Sequence, residues 1–186
     1  MEIEVSAEAK DKRINRMVAI TVVILSVFMT VCHIKDEKVV QHMEHAESDS
    51  IDRWNQYQAT KTKQHLLETA RTELAVLGSV ANPATAASVA RFDADIAKYK
   101  GEAPRLADEA RGLTARHDEL NLHDDQFDAS EALVTAAVSL AAIAALVENF
   151  GLLVACWVLG AFGMFFGFCG LLGLNFHPEV LANLLG

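Results

Sequence analysis

Gly78-Ser79-Val80-Ala81-Asn82-Pro83-Ala84 is the stretch that decides the reading of this chain. It is the one clean break inside a long charged segment, Asp36 to Ala129, that has a hydrophobic block on each side. Gly78 suits the end of one helix, and Asn82 followed by Pro83 suits the N-cap and first turn of the next. Counting outward, Asp36 to Ala81 is 46 residues and Ala84 to Ala129 is again 46. At 1.5 Å rise per residue each arm would run roughly 70 Å as a helix. Equal arms predict a chain that leaves an apolar layer near Asp36 and returns to it near Ala129.

The hydrophobic residues, 52% of the 186, are concentrated in Met17–Ile34 and Ala132–Leu174. Between them, residues 35–131 carry 19 acidic against 12 basic side chains, which accounts for seven of the nine net negative charges. Phosphate binding needs clustered Lys and Arg on one face, so this acidity excludes a nucleic-acid partner. Cys32, Cys156 and Cys169 all lie in the hydrophobic blocks, which leaves no disulfide framework or paired-cysteine site in the polar segment.

These blocks predict three transmembrane helices. Residues 1–16 form an N-terminal segment that turns basic at Lys10, Lys12, Arg13 and Arg16. Residues 17–34 are 18 in number, about enough to span a bilayer, and no small-residue cleavage site follows them. Residues 35–131 are the helical hairpin with its tip near 78–84. Residues 132–147 and 150–174 are the second and third spans, joined at Glu148-Asn149, and residues 175–186 form an interfacial tail starting at His177-Pro178. The expected fold is therefore all-α, with three transmembrane helices and a long antiparallel, coiled-coil-like hairpin inserted between the first and second. The cations before residue 17 outnumber Lys35 and Lys38 after residue 34, which predicts a cytoplasmic N-terminus and a periplasmic hairpin.

Within the second arm, Val89, Phe92, Ile96, Tyr99, Ala103, Leu106, Ala110, Leu113, His117 and Leu120 alternate by three and four without a slip. That is the a and d pattern of a heptad seam. Pro104 falls inside it and predicts a kink that leaves the phase intact. The first arm offers only a patchy stripe through Val40, Met43, Ile51, Trp54, Leu66, Ala70, Leu74 and Leu77, drifting at nearly 3.7 residues per turn. Trp54 and Tyr57 add an aromatic pair. One patchy partner leaves the regular seam incompletely covered, which predicts several copies meeting in a homo-oligomer. In the third span Gly160, Gly163, Gly167 and Gly170 repeat at three, four and three, a face that lets a neighbouring helix approach closely.

Folding the arms about Asn82-Pro83 brings His42 and His45 level with His117 and His123. His42 and His45 have metal-ligand spacing, yet isolated histidine pairs on acidic helices are commonly solvated, so no metal site and no cofactor is assigned. A pH-responsive stem is the other use of that cluster. No nucleophile with a base, phosphate-cradling loop or paired-carboxylate signature is present, so no catalytic residue is assigned and no enzymatic activity is expected.

Lys35-Asp36, Val39-Val40-Gln41, Trp54-Asn55, Tyr57-Gln58-Ala59 and Gln64-His65, following an apolar helix, resemble the DUF4337 family of small bacterial inner-membrane proteins. The resemblance implies a multi-pass envelope protein and adds no catalytic residue. The expectation from sequence is a homo-oligomeric membrane protein with a structural or interaction role. Its expected partners are lipid, further copies and an unidentified protein. The alternative is an ion or small-solute channel lined by Thr21, Ser26, Thr30 and His33 of the first span.

Overall fold

The computed structural model describes residues 2–77 and 83–174, with side chains from residue 12 onward. Among the described residues the chain is entirely helical, in three helices: α1 Glu2–Leu77, α2 Pro83–Val147 and α3 Phe150–Leu172. Each contains a segment long and apolar enough to cross a membrane. The expected tip at 78–82 and the tail at 175–186 lie outside the described residues. Pro83 opens α2, where a missing N–H costs nothing, and Pro104 sits inside it without ending the helix.

The chain divides into two compact units, residues 1–42 with 119–186, and residues 43–118. In the first unit a core of Ile14, Val18 and Leu25 from α1, Val134, Ala137, Ala141 and Ala144 from α2, and Leu153 and Cys156 from α3 is buried. Small residues dominate the α2 side, so the three backbones lie close together. The glycines of α3 show how close. A Cβ added at Gly160 would stand 3.1 Å from Leu25, and one at Gly163 would stand 2.8 Å from Val134 Cγ2 and 3.1 Å from the Val134 backbone nitrogen. At Gly167 it would meet Phe28 and Ser130 at 2.7 Å, and at Gly170 the Phe127 ring at 2.9 Å. All four glycines therefore face α1 or α2 of the same chain.

Polar groups close the ends of α3. Glu148 has a positive φ of 53°, and Asn149 caps the helix by accepting the Gly151 N–H at 2.8 Å. At the other end Gly173 is left-handed, the Leu174 N–H returns to the Cys169 carbonyl at 3.0 Å, and the fully buried Gln126 donates to the Leu174 carbonyl at 2.7 Å. On α1 the Thr21 hydroxyl accepts the Trp157 indole N–H at 2.9 Å, and Thr30 donates to its own backbone at Ser26. Ile20, Val23, Ile24, Val27 and Val31 of α1 and Phe162, Phe165 and Phe168 of α3 are exposed.

In the second unit α1 and α2 run antiparallel. Ser50 Oγ donates to the Ala110 carbonyl at 3.3 Å, Arg53 pairs with Glu109 at 3.4 Å, Lys100 with Glu68 at 3.0 Å, and Arg71 with Asp93. On α2 the seam positions Val89, Phe92, Ile96, Tyr99, Ala103, Leu106, Ala110, Leu113 and His117 are all buried or half-buried.

The α1 side corrects part of the stripe drawn from sequence. Val40, Met43, Trp54, Ala70 and Leu74 are half-buried as expected. Ile51, Leu66 and Leu77 are 53%, 65% and 85% exposed. The buried positions are Ala46, Ser50, Thr60 and Gln64, continuing the seven-residue spacing of Val18, Leu25, Cys32 and Val39. The first arm thus has a regular seam with no drift, but small and polar residues occupy it. Thr60 and Gln64 fit there because α2 offers Ala103, Ala107 and Ala110 opposite a long side chain. Trp54 and Tyr57 are half-buried and meet edge to face, with ring centroids 5.5 Å apart.

Two substitutions separate packing from propensity. Gly163→Val is expected to lower stability by about 1–3 kcal/mol, since its side chain meets the short, branched Val134 side chain and, just behind it, the Val134 backbone. Gly112→Ala has nothing within 4 Å of the new methyl and is expected to raise stability by about 0.5–1 kcal/mol through helix propensity. Thermal unfolding of both in detergent, followed by circular dichroism, checks the pair of signs.

Candidate functional site at the edge of the apolar blocks

In the first unit α2 turns a wide face inward just before its apolar block: Gln126, Phe127, Ala129 and Ser130 are all buried. Three helices meet there, so one seam becomes two, and polar residues that would suit a surface are drawn inside. The sequence run Asn121 to Glu131, which reads as a solvated collar, is in fact partly a packing face.

Asp36 of α1 points toward this face. Burial raises its pKa to about 7, and the carboxylates of Asp124 and Asp128 push in the same direction, with His33 opposing them. One of its oxygens, Oδ1, is buried without a hydrogen-bond partner. Asp124 is raised too, first by burial and then by Asp125, while its hydrogen bond with Asp36 lowers it. Asp128 is raised by burial and by Asp124, Glu131 and Asp125. The physical picture is two half-buried carboxyls that hold one proton between them near neutral pH. The void beside them, lined by Cys32, His33, Phe127 and Ser130, is only about 10 Å³. That is room for about one water, so the arrangement can take up and release a proton but offers no space for a larger ligand.

A second polar layer lies in the other unit. Lys61 Nζ donates to the buried Gln64 Oε1 at 3.1 Å, and Gln64 Nε2 donates to Glu68 Oε1 at 3.0 Å, which Lys100 also reaches. The Gln64 hydrogen bond, with Lys100 beside it, holds the Glu68 carboxyl down at about 2. The stabilisation Glu68 supplies is present at neutral pH and is lost only on strong acidification.

The four sequence-selected histidines do not form a ligand set. His42 and His45 are exposed. His117 Nδ1 lies 3.4 Å from its neighbour Asp118, and His123 Nδ1 lies 3.4 Å from Gln126 Oε1. Among the described residues no group of three or more His, Cys, Asp or Glu side chains is placed to hold a metal ion. The Asp36–Asp124 pair was within reach of the sequence, because antiparallel arms place Asp36 opposite the 124–129 stretch. The burial that raises both groups was not, because it depends on how α1 and α2 pack around them.

The model of the DUF4337 family, described as a domain of unknown function, matches residues 14–173, and the chain belongs to that family. No curated protein and no solved structure matches it.

The sign of the Asp36 effect is opposite to ordinary acid unfolding. A carboxyl raised from 3.8 to about 7 contributes most stability when protonated, and that contribution is lost as pH rises from about 4 through about 7. Asp36→Asn removes the loss. Its melting temperature is expected to exceed that of the unmodified chain at pH 8 by clearly more than at pH 5, and an equal difference at both values would contradict the burial of this group.

Proposed function

We propose that this member of the DUF4337 family is a homo-oligomeric protein of the bacterial inner membrane with a structural or interaction role and no catalytic activity. The observation that carries it is the imbalance along the antiparallel pair. Its intrachain seam takes up Ser50, Thr60 and Gln64, whereas Ile51 and Leu66, on the same helix, remain more than half exposed. Large apolar side chains left outside the helix pairing described in that unit favour further copies of the chain as their cover. The seven-residue spacing of buried positions supports a coiled-coil type of association.

In this reading the paired helices are inserted, in chain order, between the first and second membrane crossings. Lys12, Arg13 and Arg16 before the first crossing favour a cytoplasmic N-terminus and an extracytoplasmic pair. The partly buried acidic pair then sits where the chain leaves the bilayer, and its proton would follow the pH of that compartment.

Two measurements test this. Native mass spectrometry of the chain in detergent should give a multimer, and Ile51→Glu with Leu66→Glu should shift it toward the monomer without loss of helicity. A monomeric unmodified chain ends the proposal. For sidedness, Lys63→Cys in intact cells should react with a membrane-impermeant maleimide, whereas labelling only after lysis would place the pair in the cytoplasm. The native cysteines are all buried, which keeps the background low.

A further inference from the structure

We propose that the outer groove between α1 and α3 is a binding site for one anionic glycerophospholipid. The inference rests on the placement of these helices in a bilayer and goes beyond the structural role above.

Two recesses share the wall made by Trp157. The first, about 460 Å³, is lined by Arg13, Ile14, Met17, Phe150 and Trp157. The second, about 240 Å³, continues past Thr21, Ile24 and Leu25 of α1 to Gly160, Ala161 and Met164 of α3. The α1 residues advance by three and four, so both recesses lie on one face of the helix. From Arg13 to Ile24 is eleven residues, about 17 Å of helix rise. That is close to half of the roughly 30 Å apolar thickness of a bilayer, the depth of one leaflet.

The chemistry changes along this path as a phospholipid does. At the mouth stands Arg13, exposed and without an ion-pair partner among the described residues, with Lys12 and Arg16 adjacent on the same helix end. A guanidinium there matches a phosphodiester bidentately. Next come Phe150 and Trp157, held edge to face with centroids 6.0 Å apart, at the level where aromatic rings favour the interface. The indole N–H is already committed to the Thr21 hydroxyl at 2.9 Å, and apart from that hydroxyl the wall below Arg13 is apolar and suits an acyl chain. Gly160 is filled by Leu25, whereas Ala161 is exposed and leaves the lower groove open. Basic pockets between membrane helices on the cytoplasmic side recognise anionic headgroups in this way, and the basic N-terminal end places the mouth on that side.

The test uses the full chain in detergent, native mass spectrometry, and phosphatidylglycerol or phosphatidylcholine added at equal concentration. The phosphatidylglycerol adduct should exceed the phosphatidylcholine adduct about fivefold, the factor matching about 1 kcal/mol for one cation at the headgroup level. Arg13→Gln should equalise the two lipids, and Ala161→Leu, which fills the lower groove, should weaken both, with helicity unchanged in each variant. Equal adducts on the unmodified chain, a preference that survives Arg13→Gln, or adducts indifferent to Ala161→Leu would each overturn the site. Resistance to alkaline carbonate extraction is measured alongside. Release from membranes would sink the membrane placement itself, whereas a resistant chain without lipid preference sinks the groove alone.

Discussion

Backbone-close contact at the glycines of α3 is the constraint on which the membrane-type unit depends. In lipid the hydrophobic effect does not drive one apolar helix onto another, because the acyl chains are as apolar as leucine. Association must come from dispersion at short range and from polar groups that find partners inside the protein. Gly160, Gly163, Gly167 and Gly170 supply the first by admitting Leu25, Val134, Phe28 and Phe127 to distances that a Cβ would forbid. Gln126 and Asn149 supply the second at the two ends of the helix. With α3 docked, the stretch Gln126 to Ser130 has an interior to enter.

In the proposed placement the other unit lies outside the bilayer. There, burial in water does reward apolar contact, yet α1 places Ser50, Thr60 and Gln64 on its seam. Two of these are answered by hydrogen bonds, Ser50 by the Ala110 carbonyl and Thr114, and Gln64 by Lys61 and Glu68. Such a seam sacrifices transfer free energy, but it fixes register, since a shift by one residue takes the buried Ser50 away from the Ala110 carbonyl and Thr114 on α2. The exposed ion pairs around it, such as Arg53–Glu109, contribute little individually.

Particular residues show how much could be read in advance. Three apolar blocks and an alternation of threes and fours are local signals, so the all-helical, three-span character and the family were legible from sequence alone. Pro83 marked the start of α2 through its fixed φ. The α1 seam was not legible, because hydrophobicity points to Ile51 and Leu66 while the structure selects Thr60 and Gln64. Their burial depends on alanines about 40 residues further along the chain, which a single-helix pattern cannot express. Asp36 is similar: nothing in Lys35-Asp36-Glu37 marks one acid as different from the next, and its raised pKa comes from α2 and from burial.

Together these features describe a chain whose chemistry is that of packing and protonation, with the groove between α1 and α3 and exposed apolar side chains as its available surfaces. All of it presupposes that α3 touches its neighbours at the glycine face. The most direct measurement is a double-mutant cycle between Gly170→Ala and Phe127→Leu, followed by unfolding in detergent. The atoms nearest the Gly170 Cβ position belong to the Phe127 ring, from 2.9 Å, so the account predicts that Gly170→Ala is costly in the unmodified chain and much less so once Phe127 is leucine. Strictly additive effects would show that these two residues do not touch, and would contradict the close approach on which the unit is built.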